Sequence, residues 1–97
     1  MITITGKWYS GHTSEQVEAQ LEVYKNKEVR VRSLPAKNLL AQGLFGSLSI
    51  SDRLADTARS LRFPDGQLFE TKDNNTVDKL QKEFNPSTWP RLLYKLE

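Results

Sequence analysis

A cluster of basic residues between positions 25 and 37 is the densest group of one charge in the sequence. Its members are Lys25, Lys27, Arg30, Arg32 and Lys37. Grouped ammonium and guanidinium ions bind anionic lipid head groups or acidic stretches of protein. Glu28 interrupts the cluster, however, and surface strands routinely carry alternating charge. The cluster is therefore a candidate binding surface, and a solvated strand face is the alternative that the pattern favours.

Acid–base or metal chemistry would need other side chains. Asp52, Asp56 and Asp65 could supply a carboxylate pair, but each has turn-forming neighbours that favour local hydrogen bonds over a catalytic cleft. His12 is the only histidine and cysteine is absent, so the usual spacing of zinc ligands does not occur. We therefore predict no catalytic, metal-ligating or cofactor-binding residue in this chain.

The overall charge gives little support to nucleic-acid binding. The chain has 97 residues, which is enough for one domain, and a formal net charge of only +2. Acidic residues are spread among the basic ones, whereas nucleic-acid binders usually show a basic stripe. We expect no nucleic-acid partner, although a single-stranded nucleic-acid-binding domain of the OB type stays an alternative.

The elements that must position these residues begin with β-strands. Four stretches alternate apolar and polar residues with a period of two, which predicts half-buried strands. In chain order they are ITITGKW, QVEAQLEVY, EVRVRSL and NLLAQGLFGSLSI, the last being one or two strands broken at Gly43 or Gly46. Gly6 falls on the apolar face of the first, beside Trp8, and predicts a bulge or a close backbone contact.

The stretch SLRFPDGQLFET predicts a β-hairpin. Pro64, Asp65 and Gly66 suit the successive positions of a type I turn that closes with a glycine bulge. This structural turn places Leu61 opposite Phe69, with both side chains facing the core. The preceding stretch, SDRLADTAR, is predicted to be an irregular connection. Salt bridges are expected to brace it, between the group Arg53, Arg59 and Arg62 and the group Asp52, Asp56 and Asp65.

The period changes after the hairpin. In DNNTVDKLQKEFNP, one helical stripe carries Val77, Leu80 and Phe84. Asn75 is predicted to cap this helix, with Asp78 placed where a carboxylate favours the N-terminus. The tail STWPRLLYKLE restarts a helical pattern.

These elements predict a mainly β (α+β) domain, which is a small curved antiparallel sheet or barrel of six to seven strands with a C-terminal helix. The order resembles a pleckstrin-homology-like barrel. The domain is assigned to residues 1–85, and 86–97 to a juxtamembrane or linker helix, or to the end of a cloned fragment.

Three stretches in this order resemble a known family. ITGKWYSGHTSE, ISDRLADTARSLRFPDGQLFET and DNNTVDKL are similar to the small N-terminal domain of bacterial membrane zinc metallopeptidases, the HtpX-like and CaaX-prenyl-protease-like enzymes. In that family a transmembrane helix and a catalytic domain with H-E-x-x-H follow the domain. The resemblance thus implies a chain without catalytic activity, whose parent is a zinc metalloendopeptidase of the inner membrane that holds zinc in a separate catalytic domain. Arg91 and Lys95, beside the implied span, favour the cytoplasmic side.

The function that this resemblance implies is positioning or regulating the parent enzyme. The expected partners are its own catalytic domain or another protein, and an anionic membrane surface is a further candidate. The first alternative is a free-standing adaptor that binds peptides or lipid head groups, since an open sheet edge can add a partner strand.

Overall fold

The computed structural model describes residues 1–84, which form seven β-strands and an α-helix. The strands are β1 (Ile2–Tyr9), β2 (Val17–Val23), β3 (Glu28–Ser33), β4 (Leu39–Leu44), β5 (Ser49–Ile50), β6 (Arg59–Arg62) and β7 (Leu68–Thr71). The helix is α1 (Asn74–Phe84), and a short 3-10 turn at Phe45–Ser47 separates β4 from β5. The predicted mainly β fold with six to seven strands and a helix after them is confirmed. The predicted helix at 86–97 lies outside the described residues, and the likeness to pleckstrin-homology barrels stays a prediction.

All the strands belong to one antiparallel sheet, in the order β4-β3-β2-β1-β7-β6-β5. The sheet curls into a half-barrel, and its inner face carries the alternate apolar residues that the sequence pattern marks, including Ile4, Leu21 and Val31. Each of these side chains contributes roughly 1.5–3 kcal/mol by leaving water. The two ends of this order, β4 and β5, are the edges of the sheet.

The hairpin between β6 and β7 has the predicted register. Leu61 pairs with Phe69, and both side chains are fully buried. The N–H of Gly66 donates to the carbonyl of Phe63 at 3.0 Å, and Gly66 has φ +95°. That φ is one that glycine adopts without steric cost. The predicted turn with Pro64, Asp65 and Gly66 is confirmed.

Helix α1 closes the concave side of the sheet. Val77 and Leu80 are fully buried in the core, and the rings of Phe84 and Phe45 lie 5.8 Å apart. The predicted apolar stripe is thus confirmed. The predicted cap is wrong: Asp73, not Asn75, caps the helix.

The cap geometry shows why Asp73 takes this position. Its Oδ1 accepts a hydrogen bond from the N–H of Thr76 at 3.2 Å, and its Oδ2 accepts one from the Thr76 hydroxyl at 2.7 Å. Since a capping side chain bonds to the backbone N–H two or three residues later, Asp73 fits the helix start at Asn74.

Candidate binding surface

The predicted basic cluster is divided in the structure. Lys25 and Lys27 are exposed in the turn between β2 and β3, and Lys37 is exposed in the turn between β3 and β4. These two turns lie at opposite ends of β3, whose six residues span about 20 Å. The three lysines therefore form two separate positive ends. Whether the cluster binds a ligand stays a prediction.

The two arginines of the cluster are held by carboxylates. The guanidinium of Arg30 lies 2.6 Å from Glu28 and above the ring of Tyr24, at 5.1 Å from its centre. Arg32 donates to Glu22 at 3.0 Å across the β2–β3 pair. Carboxylates thus neutralise the middle of the cluster.

Glu22 accepts hydrogen bonds from several neighbours on this face. Tyr24 and Gln20 donate to its two oxygens at 2.8 and 2.9 Å, in addition to Arg32. Burial alone would raise the pKa of Glu22, but these hydrogen bonds and the nearby Arg32 charge outweigh it and hold the pKa below its ordinary value.

Strand β4 exposes one edge along its length. Its sequence, LLAQGL, contains no charged residue and no proline, and Leu39 and Leu44 are 48% and 59% exposed. Hydrogen bonds join β4 to β3 on one side, whereas within residues 1–84 no strand pairs with its other side. The opposite edge of the sheet, β5, has only two residues.

The register shows which groups of β4 face this open edge. The N–H of Phe45 donates to the carbonyl of Lys27, one step beyond the Glu28–Leu44 pair, so this step of the ladder is a hydrogen-bonded one. Such pairs alternate along antiparallel strands with pairs whose N–H and C=O groups point away from each other. Gln42 and Leu44 belong to the second kind, so their N–H groups and the carbonyl of Gln42 point to the open edge.

An open groove of about 450 Å³ lies elsewhere, along β1 and the end of β7. Its charged lining consists of Lys7, Glu18, Glu70 and Lys72. Lys7 stands opposite Glu18 on one neighbouring strand and opposite Glu70 on the other. Because the two positive and two negative charges balance, the groove does not select an ionic ligand by charge.

The connection between β5 and β6, residues 51–58, is irregular as predicted, and we call it the strap. Arg59, at its end, is only 2% exposed and donates to the carbonyl of Ser51, to Asp78 at 2.7 Å and to Gln81 at 2.8 Å. Arg53, within the strap, donates to the other oxygen of Asp78 at 2.6 Å. One helix carboxylate therefore fastens both ends of the strap.

We call these contacts of Arg53 and Arg59 with Asp78 the brace. The acidic partners predicted for the arginines are wrong. Asp52 and Asp56 are exposed in the strap, and Asp65 accepts from the N–H of Gln67 within the hairpin turn. None of the three forms a salt bridge in the part of the chain that the structure describes. They remain in water because the strap turns them outward, whereas Asp78 projects from the helix toward both arginines.

The described residues were also compared with what a metal site and a membrane-spanning helix require. His12 is exposed in the loop after β1. The described residues bring no three metal-ligating side chains together. Within residues 1–84, no helix combines the length and the hydropathy that a bilayer crossing requires. The edge of β4, between its two positive ends, is the candidate binding surface.

Acid should destabilise the fold through the two bound carboxylates. Burial alone would raise the pKa of Asp78, but hydrogen bonds from Arg59 and Arg53 outweigh it and hold the pKa below the ordinary 3.8. The pKa of Glu22 is likewise held below 4.5. Because the unfolded state then binds protons at a higher pH than the folded state, this stabilisation is complete above the unfolded pKa values and is lost as the pH falls through the folded ones.

We expect the free energy of unfolding, measured by urea titration, to stay level from pH 7 to about pH 5 and to fall below it. Glu22→Gln should lower stability at pH 7 and make the acid-induced fall smaller. A fall of equal size in Glu22→Gln would contradict the role of Glu22, and a stability that rises below pH 5 would contradict the sign for both carboxylates.

A comparison with protein families matches residues 3–84 to a domain of unknown function, DUF7092. Since the match covers most of the chain, the chain belongs to this family. The match begins in β1 and ends with the last residue of α1, so it includes the whole half-barrel and its closing helix. No curated protein and no solved structure matches the sequence.

Proposed function

We propose that this DUF7092 domain is a non-catalytic module of a bacterial membrane zinc metalloendopeptidase, which it positions or regulates through contacts with protein. The observation that carries the proposal is where the resemblance to that family falls in the fold. Its most specific part, Ile50 to Glu70, builds the strap and most of the hairpin. The resemblance to the peptidase family therefore extends beyond the turn sequence and includes residues that hold the domain together, such as Arg53 and Arg59.

The arrangement of the polar side chains supports a binding role. Arg53, Arg59 and Asp78 hold the strap on the helix, and Glu22 and Arg32 pair with each other on β2 and β3. The open edge of β4 remains for contact with another chain. Zinc and its ligands belong, in this proposal, to a separate catalytic domain, and the domain lies on the cytoplasmic side of the inner membrane.

Two experiments test the proposal. The reading frame after Glu97 should encode an apolar span of about 20 residues and then H-E-x-x-H. A stop codon at that point would overturn the peptidase parent. The purified chain should not cleave casein. Zinc-dependent cleavage that a chelator abolishes, with the catalytic metal bound by the chain itself, would overturn the non-catalytic role.

A free-standing peptide-binding adaptor is the second candidate, and the open edge of β4 favours it. In that case the reading frame ends near Glu97, and the same edge serves partners in other proteins.

A further inference from the structure

We infer that the open edge of β4 is a docking site for an extended segment of a partner protein, apolar at its centre and acidic at both ends, which adds to the sheet as an eighth strand. This inference deepens the proposed function by naming the class of partner. It rests on the half-barrel geometry, however, and holds with or without a peptidase domain downstream.

The first argument is that, among the residues that the structure describes, most of this edge lacks the usual protection. Proteins usually shield exposed edge strands with prolines, charges or very short length, because an open ladder pairs with other chains. The other edge, β5, is protected by its length of two residues. By contrast, β4 has six residues, none of them charged and none proline. The register shifts by one residue at the Leu39 end, where Leu40 is an extra residue that makes a bulge in β4, whereas Gln42, Gly43 and Leu44 pair regularly with β3.

The second argument is that β4 offers hydrogen-bonding groups in the right places. Gln42 directs an N–H and a C=O to the open edge, and Leu44 directs an N–H there, while the Ser47 hydroxyl already donates to the Leu44 carbonyl. In strand addition, such main-chain groups supply much of the affinity. Leu39 and Leu44 stand exposed beside the ladder. An added strand would therefore place apolar or β-branched side chains against them.

The third argument concerns charge. Lys37 lies just before β4, and Lys27 lines the surface next to Leu44 and Ser47 at its far end. In the described part of the chain neither lysine forms a salt bridge, whereas Arg30 and Arg32 do. The two ends of the edge are thus positive, and its middle is neutral. An acidic residue at each end of an incoming segment of about six residues complements this pattern.

Selection from a phage-displayed library of random octapeptides tests the inference. We expect enriched peptides to alternate apolar or β-branched residues between acidic ends. A fluorescein-labelled copy of one such peptide should bind the purified chain with saturable fluorescence anisotropy. Gln42→Pro should weaken it at least about tenfold, because proline removes the N–H that faces the open edge and leaves the ladder to β3 in place.

Gln42→Thr is the matched control, since it alters the same side chain but keeps the N–H, and it should bind nearly as the natural chain does. Both variants are first checked for an unchanged circular-dichroism spectrum. Replacing Lys27 and Lys37 together with glutamine should weaken binding severalfold and reduce its salt dependence. No enrichment, or equal affinity for Gln42→Pro, overturns the inference.

Two further measurements address other occupants. If sedimentation velocity shows a dimer and Gln42→Pro makes the chain monomeric, the occupant of the edge is a second copy of this chain and not a partner segment. Binding to phosphatidylglycerol vesicles that depends on Lys27 and Lys37 but not on Gln42, without peptide enrichment, would assign the surface to lipid. Each result overturns the peptide site but leaves the reading-frame test of the peptidase parent untouched.

Discussion

Asp78→Asn should lower the free energy of unfolding by about 3 kcal/mol. The carboxylate of Asp78 bridges Arg59 and Arg53, and Arg59 is almost completely buried. The substitution keeps the size of the side chain but leaves the Arg59 charge in the interior without a counterion. Removing one partner of a buried ion pair is costly because the other charge stays desolvated. The midpoint of thermal unfolding should fall by more than about 10 °C.

Two matched variants separate this effect from the general cost of changing a charge. Asp56→Asn makes the same chemical change at an exposed position of the strap and should alter stability by no more than about 0.5 kcal/mol. Arg53→Gln removes the exposed arginine of the brace, whose side chain is 45% accessible, and should cost less than about 1 kcal/mol. Equal losses in Asp78→Asn and Asp56→Asn would show that Asp78 does not compensate the buried arginine.

The sheet could be predicted from the sequence because period-two alternation reports burial directly. The stretch QVEAQLEVY places Ala19 and Leu21 on one face, and both are fully buried. Likewise the turn chemistry of Pro64-Asp65-Gly66 fixed the register of the hairpin, including the Leu61–Phe69 pair. These features depend on neighbours within a few residues, so a single sequence contains the information needed to read them.

The brace depends on contacts between distant residues, which is why its acidic partner was missed. Arg59 and Asp78 are 19 residues apart, and local charge proximity pointed instead to Asp52 and Asp56. The sequence of the helix nevertheless contained a signal for the partner of Arg59. Asn74, Asp78 and Gln81 are spaced by four and three residues, which puts them on one face. This polar stripe runs beside the apolar one, and all three side chains bond to the strap or to Arg59.

The candidate surface was predicted only in part for a similar reason. The basic residues are visible in the sequence, and so is Glu28, which pairs with Arg30 on the same strand. The neutralisation of Arg32, however, depends on the pairing of β2 with β3, which brings Glu22 within reach. The open edge of β4 depends on strand order. Alternation identifies a strand, but it does not say whether that strand lies inside a sheet or at its edge, because both positions can bury one face.

Gly6→Ala should also cost about 3 kcal/mol or more, although it adds only one methyl group. A Cβ at Gly6 would overlap the backbone carbonyl oxygen of Glu70 and lie 2.9 Å from the ring of Phe69. Neither neighbour can yield easily. Lys7, the next residue, pairs with Glu70 in the β1–β7 ladder, and the Phe69 ring is fully buried. Relief therefore requires β1 and β7 to separate, at the seam that joins the two halves of the sheet.

Gly43→Ala provides the control for Gly6→Ala, because Gly43 is also a glycine inside a strand. A Cβ there would meet the ring of Phe63 at 3.8 Å, which is ordinary van der Waals contact. It should leave stability unchanged or raise it by up to about 1 kcal/mol, since alanine loses less backbone entropy on folding than glycine. Urea denaturation of the two variants side by side measures the difference. Equal stabilities of Gly6→Ala and Gly43→Ala would show that β1 and β7 do not pack closely at Gly6. The close backbone contact that the sequence predicts there would then be wrong, and so would the pairing of β1 with β7.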